Sequence, residues 1–507
     1  MKPHLLFADD DFRPEDPLPP GTETLGEDLG LAALLDAMGG GDGHLRAVAT
    51  AVTLHPLTEP SAITYRQAVL SDCLDHREVV EQIHELAEAA VAEEKKVWGV
   101  FTNVPSGRLH RAVGVLALFT AHLHRLRAIA DANTGRFSSE GLRQLVATLQ
   151  SELSDEYLEG MERHLQLLRF RSGVLSSAGL GLGAKAGDWR VHLSTQPAIN
   201  WWQRLRLWWR RSDALRIVVR PGDDDLVAEL RGQAINEVAA ALSEAMEHVL
   251  SFFSSLRFEL GFYLAAANLH DRLVGLGQPT CLPTPAPGTS TVLQARDLYD
   301  PGLLLRSGGT VVGNDLDADG TSLVLVTGAN QGGKSTFLRA MGVAQVMMRA
   351  GLFAAARSFS APVARGVFTH YEREETSKAG LGKLEEELAR MSQVVDWLTP
   401  GSLVLLNESF SSTNEAEGAA IASGLIEALV ESGVRVACVT HSFELADHFA
   451  RSGRDDVAFL RAERREDGTR TYRMLPGAPA PTSHGEDLYR RIFGRALADD
   501  ARRGPPG

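Results

Sequence analysis

The sequence predicts a C-terminal α/β domain preceded by a mainly α-helical region. Three observations predict it. From about residue 290 onward, short apolar strand-like runs alternate with helical periods. A glycine-rich turn, Gly328 to Thr336, sits between an apolar run and a helical one. Upstream, helical periodicity dominates residues 26–172, and no proline occurs between Pro221 and Pro279.

Composition sets the frame. At 507 residues the chain is long enough for two to four cores. Its 51 basic and 65 acidic side chains give a net charge of −14. That charge excludes a protein coating nucleic acid with its whole surface, so any such contact needs a local basic patch or an enclosed channel. Cys73, Cys281 and Cys438 are far apart and suggest neither a disulfide framework nor a zinc site. The start, MKPHLLFADDDF, lacks the basic and apolar pattern of a signal peptide. No apolar run reads as long enough for a membrane span, and a cytoplasmic location is the default.

Residues 1–25 are acidic and Pro-rich and read as a poorly ordered lead-in. Residues 26–288 form the helical region. There Val79, Val80, Ile83 and Leu86 share one helix face, and Val115, Leu116, Phe119, Leu123 and Leu126 another. Gly-rich turn chemistry over 177–194 predicts a hairpin. Leu226 to about Leu273 reads as one long helix, or as two broken near Ser254 or Gly261. Prolines 279, 283, 285 and 287 mark the boundary to an α/β domain over 289–495, and 496–507 reads as a frayed tail.

The segment 199–220 stands apart. Trp201, Trp202, Trp208 and Trp209 interleave with Arg204, Arg206, Arg210 and Arg211. Three readings compete: stacking on bases and pairing with phosphates, lying on a membrane or partner surface, or a Trp face packed on a core beneath arginine stems.

The turn Gly328-Ala-Asn-Gln-Gly-Gly-Lys334-Ser335-Thr336 matches G-x-x-x-x-G-K-[ST] in the required strand–loop–helix setting. Gly328, Gly332 and Gly333 let backbone N–H groups converge on phosphate oxygens. The following helix adds its positive end. Lys334 supplies a point charge to the β- and γ-phosphates, and the Ser335 hydroxyl is a Mg²⁺ ligand. The run Ser402–Leu406 ends in Asn407-Glu408, where P-loop ATPases normally carry Asp-Glu. Glu408 is then the residue that orients or deprotonates the attacking water. Asn407 offers only a neutral, water-mediated contact to the metal. A further strand over 434–439 ends in Thr440-His441, a position from which a histidine senses the γ-phosphate or polarises water.

TGANQGGKSTFLRAMG, with its Asn330 and paired glycines, closely resembles the phosphate loop of the MutS mismatch-repair ATPases. SLVLLNES followed by Ser412-Thr413-Asn414, and VTHSFELADHF, are similar to that family's later segments. Upstream, Gln294-Ala-Arg296-Asp and Val312-Gly-Asn314-Asp315 resemble two more, and Thr64-Tyr65-Arg66-Gln67 a shorter one. The resemblance covers residues 290–450 strongly. It implies a MutS/ABC-like P-loop ATPase domain behind a core-and-lever region. The implied ligands are ATP and Mg²⁺, with Asn330, Thr336 and Asn314 joining the nucleotide contacts, Asn314 at the adenine. It also implies DNA as partner and a homodimer formed through the ATPase domains.

Three departures qualify it. The family's N-terminal mismatch-reading domain with its Phe-x-Glu wedge finds no counterpart before residue 26. The family's Ser-led signature, which reaches the partner's ATP, falls on Gly382, with Glu387 at its acidic position and Ser377 nearby. On that helix Leu381, Leu384, Leu388, Met391, Val395 and Leu398 recur at core spacing. Asn407 is the third departure and implies slow hydrolysis. The expected function is an ATP-dependent DNA-binding protein of the mismatch-repair type. The alternatives are a member acting on branched or recombining DNA, and a nucleotide-gated structural or membrane-associated switch with negligible turnover.

Overall fold

The computed structural model describes residues 1–97, 105–168, 175–180, 186–192, 224–329, 331–373, 382–465 and 469–479. Asn330, Ser377, Leu381 and the whole Trp–Arg segment, including Trp201, Trp202, Arg204, Arg206, Arg210 and Arg211, lie outside these residues. The chain forms two compact units, Met1–Leu5 with Glu78–Leu260, and Leu6–Arg77 with Gly261–Gly507. This partition does not follow the linear division expected at residue 288, because the first four helices belong with the α/β unit.

The first unit is helical. It holds α5 (Arg77–Lys96, bar its first residue), α6 (Pro105–Ala132), α7 (Glu140–Glu152) and α8 (Asp155–Leu168), with α1 to α4 assigned below. The faces read from periodicity are buried: Val79, Val80, Ile83 and Leu86 on α5, and Val115, Leu116, Phe119, Leu123 and Leu126 on α6. The expected hairpin is β1 (Leu175–Leu180) paired antiparallel with β2 (Ala186–His192). The long helix is unbroken as α9, Asp224–Gly275, with 52 residues. At 1.5 Å per residue that is about 78 Å. Its residues up to Leu260 count with the first unit, where Phe253 meets Phe119 at 5.6 Å between ring centroids.

Two stretches, Gly107–Ala132 of α6 and Val238–Gly275 of α9, are long and apolar enough by length and composition to cross a membrane, where the sequence reading finds no span. Half of the first window and 61% of the second are buried inside the protein, as in core helices.

The second unit begins with the supposed lead-in. Leu6 is fully buried there and Leu5 in the first unit, against the expectation of disorder for residues 1–25. Apolar anchors at both residues outweigh the acidic, Pro-rich composition around them. Then come α1 (Thr22–Leu29), α2 (Leu31–Gly39), α3 (Gly43–Thr53) and α4 (Pro60–Asp75). Arg66 on α4 is fully buried. It donates to the Leu6 carbonyl at 3.2 Å and the Ala350 carbonyl at 3.0 Å, and lies over the rings of Phe7 and Phe262. Gln67 donates to the Pro283 carbonyl. The Arg-Gln pair is therefore a structural clasp within this unit.

Two sheets follow. One has the order β3 (Thr284–Ala286), β7 (Ser358–Pro362), β4 (Gln294–Leu298), β5 (Asn314–Asp317), with α10 (Pro301–Ser307) after β4. The other has the order β12 (Arg470–Pro476), β11 (Val457–Arg464), β6 (Leu323–Thr327), β10 (Arg435–Val439), β9 (Leu403–Asn407), β8 (Val367–Tyr371). Its strands are parallel except for β12. The remaining helices are α11 (Lys334–Arg349), α12 (Lys383–Trp397), α13 (Glu415–Glu431) and α14 (Phe443–Arg451). α11 approaches this sheet closely at Gly342. A Cβ there would sit 2.5 Å from a methyl of Leu405 and 2.7 Å from one of Leu29, so a larger residue would push both leucine side chains aside.

The buried face of α12 matches the expected one in part. Leu384, Met391 and Leu398 pack on the core, joined by Val394 with Glu387 on the same side, while Leu388 and Val395 are exposed. Glu387 and Val394, each one position before an expected residue, take the inward sites, and hydrophobicity alone does not assign Glu387 to one.

Candidate functional site

In an open parallel sheet, ligands collect at the carboxyl ends of the strands. Here β6 runs into the phosphate loop, β9 ends at Asn407 and Glu408, and β10, between them, leads to His441. Three segments far apart in sequence thus meet at one edge. The loop needs its glycines for stated reasons. Gly328 (φ 116°) and Gly333 (φ 92°) are left-handed, and a Cβ on Gly332 would sit 2.9 Å from both the Ala329 carbonyl oxygen and the Ala462 Cβ. Gln331 is also left-handed (φ 60°), and its side-chain oxygen accepts from Arg470 at 2.7 Å.

Lys334 opens α11 and is buried, its Nζ donating to the Gly328 carbonyl at 2.7 Å. Nζ lies 4.0 Å from Glu408 Oε1, and Glu408 Oε2 lies 3.6 Å from His441 Nδ1. The three form a line of ammonium, carboxylate and imidazole. His441, and then Lys334, hold the Glu408 carboxyl below the usual carboxylate range against the effect of burial. Contact with Glu408 pushes His441 up, and burial pushes Lys334 down. Glu408 is therefore an anion at neutral pH, able to accept hydrogen bonds. Its backbone is left-handed (φ 53°), a strained conformation of the kind that gathers at functional sites.

Asn407 closes β9, paired through its backbone with Tyr371 and Val439. Its side-chain oxygen is buried and, among the described residues, has no hydrogen-bond partner. Leaving such an atom unsatisfied costs about 1–3 kcal/mol. A metal-bound water is the kind of group that meets it, and the oxygen donors of Ser335 and Asn407 suit Mg²⁺ by their chemistry.

A cavity of about 470 Å³ opens beside the loop, within the range of nucleotide-sized sites. Gly332 through Thr336, Glu408, Asn314, Tyr299 and Tyr472 line it. Asn314 is placed at this site, but its amide is committed to β12. The oxygen accepts from Met474 N at 2.6 Å and the nitrogen donates to the Tyr472 carbonyl at 3.3 Å. What it positions is Tyr472, half-exposed and left-handed (φ 61°), which lines the cavity. Sequence reasoning missed Tyr472; its signal was an aromatic on an edge strand, which is weak. It also missed Asp300, buried, which caps α10 and pairs with Arg339 of α11 at 3.0 Å, fixing the cavity's wall.

Behind Glu408 lies a second layer. His370 of β8 is buried, with Nδ1 2.8 Å from the Ser409 hydroxyl and Nε2 3.1 Å from the Glu387 carbonyl. Burial pushes its pKa down to about 4. The Glu387 carbonyl can only accept, so the neutral ring carries its proton on Nε2; the Ser409 hydroxyl beside Nδ1 donates to the His370 carbonyl at 2.9 Å. The Glu387 carboxyl itself points inward, accepts from Ser412 at 3.1 Å, and is pushed up by burial. The acidic position of α12 is thus engaged within its own chain. Gly382 is the N-cap of α12, and among the described residues nothing lies within 4 Å of its Cβ direction.

His370 carries a testable pH dependence. Its folded pKa lies below the ordinary value of 6.5, so the stability tied to its neutral form is complete above 6.5 and is lost as pH falls toward 4. Between pH 7 and 5 this amounts to about 2 kcal/mol. Urea unfolding at the two pH values checks it: His370→Asn should lose about 2 kcal/mol less than wild type over that interval. Equal losses would remove His370 from the account.

Comparison with known proteins agrees with this geometry. The family model described as the MutS2 N-terminal domain matches residues 58–276, and that of MutS domain V matches residues 324–490. An Endonuclease MutS2 of Anaeromyxobacter sp. is 26% identical over 492 residues, covering 94% of this chain and 57% of its own length. An Endonuclease MutS2 of Gemmatimonas aurantiaca is 28% identical over 52% of this chain and 32% of its own. A DNA mismatch repair protein MutS of Thermus thermophilus is 34% identical over 35% of this chain and 22% of its own. The chain spans less than two thirds of the length of these relatives. A phosphate loop, Glu408 and His441 on neighbouring strand ends, with two MutS-type models matched in order along one sequence, lead to one assignment: the chain belongs to the MutS family.

Proposed function

We propose that this protein is an ATPase of the MutS type that acts on DNA, with nucleotide state governing its grip. The observation that carries the reading is the line Lys334–Glu408–His441 at the mouth of the nucleotide-sized cavity. Lys334 and the N–H groups at the start of α11 hold the phosphates, and Gly328, Gly332, Gly333, Asn330 and Thr336 shape that grip. Ser335 holds the metal directly and Asn407 through water. When bound there, Mg²⁺ would supply positive charge to offset that of the phosphates. Glu408, an anion with lowered basicity, orients the attacking water by accepting its hydrogen bond, and His441 fixes Glu408 in turn. Tyr472 offers its ring to the base.

Two copies closing on ATP through their α/β units would carry the change to DNA along α9. The exposed Leu388 and Val395 of α12 supply an apolar stripe for such a contact. Trp201, Trp202, Arg204, Arg206, Arg210 and Arg211 are the proposed DNA contacts on composition. The names of the relatives, an endonuclease and a mismatch repair protein, support DNA as the target.

The test is the ATPase rate without DNA, then with homoduplex, mismatched and branched DNA. Stimulation by mismatched DNA supports repair-type recognition, and preference for branched DNA supports action on recombining strands. No response to any of them sinks the DNA-coupled reading. The neutral amide of Asn407, where P-loop ATPases normally carry an aspartate, favours a second reading, a nucleotide-gated switch with very slow turnover. Asn407→Asp should then raise turnover about tenfold, since a charged acceptor strengthens the metal-water contact by about 1.4 kcal/mol. An unchanged rate in that variant contradicts the role given to Asn407.

A further inference from the structure

A larger cavity, about 700 Å³, lies in the same compact unit at the opposite end of α11. Residues of the N-terminal strap, among them Phe12, form one wall, with His55, Leu57, Phe368 and Trp397 completing an aromatic and aliphatic lining. Phe12 meets His55 edge-on at 5.4 Å, and Phe368 stacks near Trp397 at 6.4 Å between centroids. At its floor is Arg349, the last residue of α11, with 5% of its surface exposed.

Arg349 is an anomaly as a purely structural residue. One guanidinium nitrogen donates to the Arg365 carbonyl at 2.9 Å, while Nε is buried without a partner. No ion pair forms between it and any described carboxylate, although Asp10, Asp11, Asp16 and Glu59 also line the cavity. Burial pushes its pKa down to about 10, so it keeps its charge at neutral pH. Enclosing a cation without a counter-ion costs several kcal/mol, and an apolar side chain of similar volume would often be more stable there. A buried charge that the fold does not use is the feature that a ligand of opposite charge explains.

We infer that this cavity binds a small amphipathic anion, an aryl body carrying a phosphate or carboxylate group, with the acidic head on Arg349 and the ring between Phe12, Phe368 and Trp397. The volume admits a ligand of two fused rings with room to spare, and a charge-assisted, two-pronged contact with guanidinium is the strongest available to such a head group. Arg13 and Arg365 line the cavity together with Asp10, Asp11, Asp16 and Glu59, so its charges nearly balance, which points to a ligand with a single acidic group.

Isothermal titration of the full chain tests it, with saturating ADP and Mg²⁺ present to occupy the phosphate loop. The titrants are 1-naphthyl phosphate, 1-naphthoate and neutral 1-naphthol. The expected result is one saturable site per chain for at least one of the two anions, binding at least tenfold tighter than naphthol; the preferred anion identifies the head group. Arg349→Met should weaken that binding at least tenfold, and its thermal midpoint without ligand should equal or exceed that of wild type. No saturable binding of either anion, naphthol binding as tightly as the anions, or unchanged binding by Arg349→Met would each overturn the inference. Should Arg349→Met fold poorly, the comparison of anions with naphthol on wild type still decides.

Discussion

Glu408→Gln should lower ATP turnover by about 10²–10⁴-fold while leaving ATP affinity within a few-fold of wild type. The substitution keeps the shape and length of the side chain and removes its charge. Glu408 lies 4.0 Å from Lys334 and 3.6 Å from His441, and its carboxylate is the one anion in that line. A neutral amide accepts a weaker hydrogen bond from water, so attack is no longer aligned or polarised. Binding survives because the phosphates are held by α11 and the glycine turn. Removing the anion from beside Lys334 also leaves that cation freer to engage phosphate, which works against any loss of affinity. Pre-steady-state measurement of phosphate release, beside equilibrium binding, separates the two effects. Equal falls in affinity and turnover would show Glu408 to be structural.

Lys334→Met should have the opposite profile, with ATP affinity falling about 10–100-fold, the range expected for losing a charge-assisted contact of about 1.5–3 kcal/mol. Lys334 is buried, its charged form disfavoured by burial, and it is anchored on the Gly328 carbonyl. Methionine fills the same volume without the charge. Thermodynamic linkage gives a direct readout. At a ligand concentration 100 times the dissociation constant, ATP stabilises wild type by about 2.7 kcal/mol. A variant binding 100-fold more weakly gains only about 0.4 kcal/mol at that concentration. Unfolding curves with and without ATP–Mg²⁺ check the difference. A nucleotide-dependent gain that survives the substitution would show that phosphate is held elsewhere.

Much of the site could be read from the chain before its fold was known. The phosphate loop was legible because its chemistry demands glycine where backbone must approach an anion, and Gly328, Gly332 and Gly333 sit where a Cβ would strain or collide. Glu408 and His441 were legible as strand-end residues, since parallel strands converge their carboxyl ends. Tyr472 was not, because its place depends on Asn314 gripping β12 from 158 residues away. The strap and the first four helices were also misplaced. Periodicity finds a helix's buried face but not the partner that buries it, so Leu29 against Gly342 and Arg66 beneath Ala350 could not be foreseen. On α12, Leu388 and Val395 were misplaced for a related reason, since Glu387 and Val394 take the inward sites. A carboxylate turned inward toward Ser412 is a tertiary choice, and no hydrophobic pattern announces it.

Equilibrium binding of labelled ATP with Mg²⁺ to wild type, Lys334→Met and Glu408→Gln tests the central claim most directly. The account predicts one saturable site per chain, weakened at least tenfold by Lys334→Met and kept within a few-fold by Glu408→Gln. A wild-type chain that binds no ATP, or a Lys334→Met chain that binds it as tightly as wild type, would contradict it.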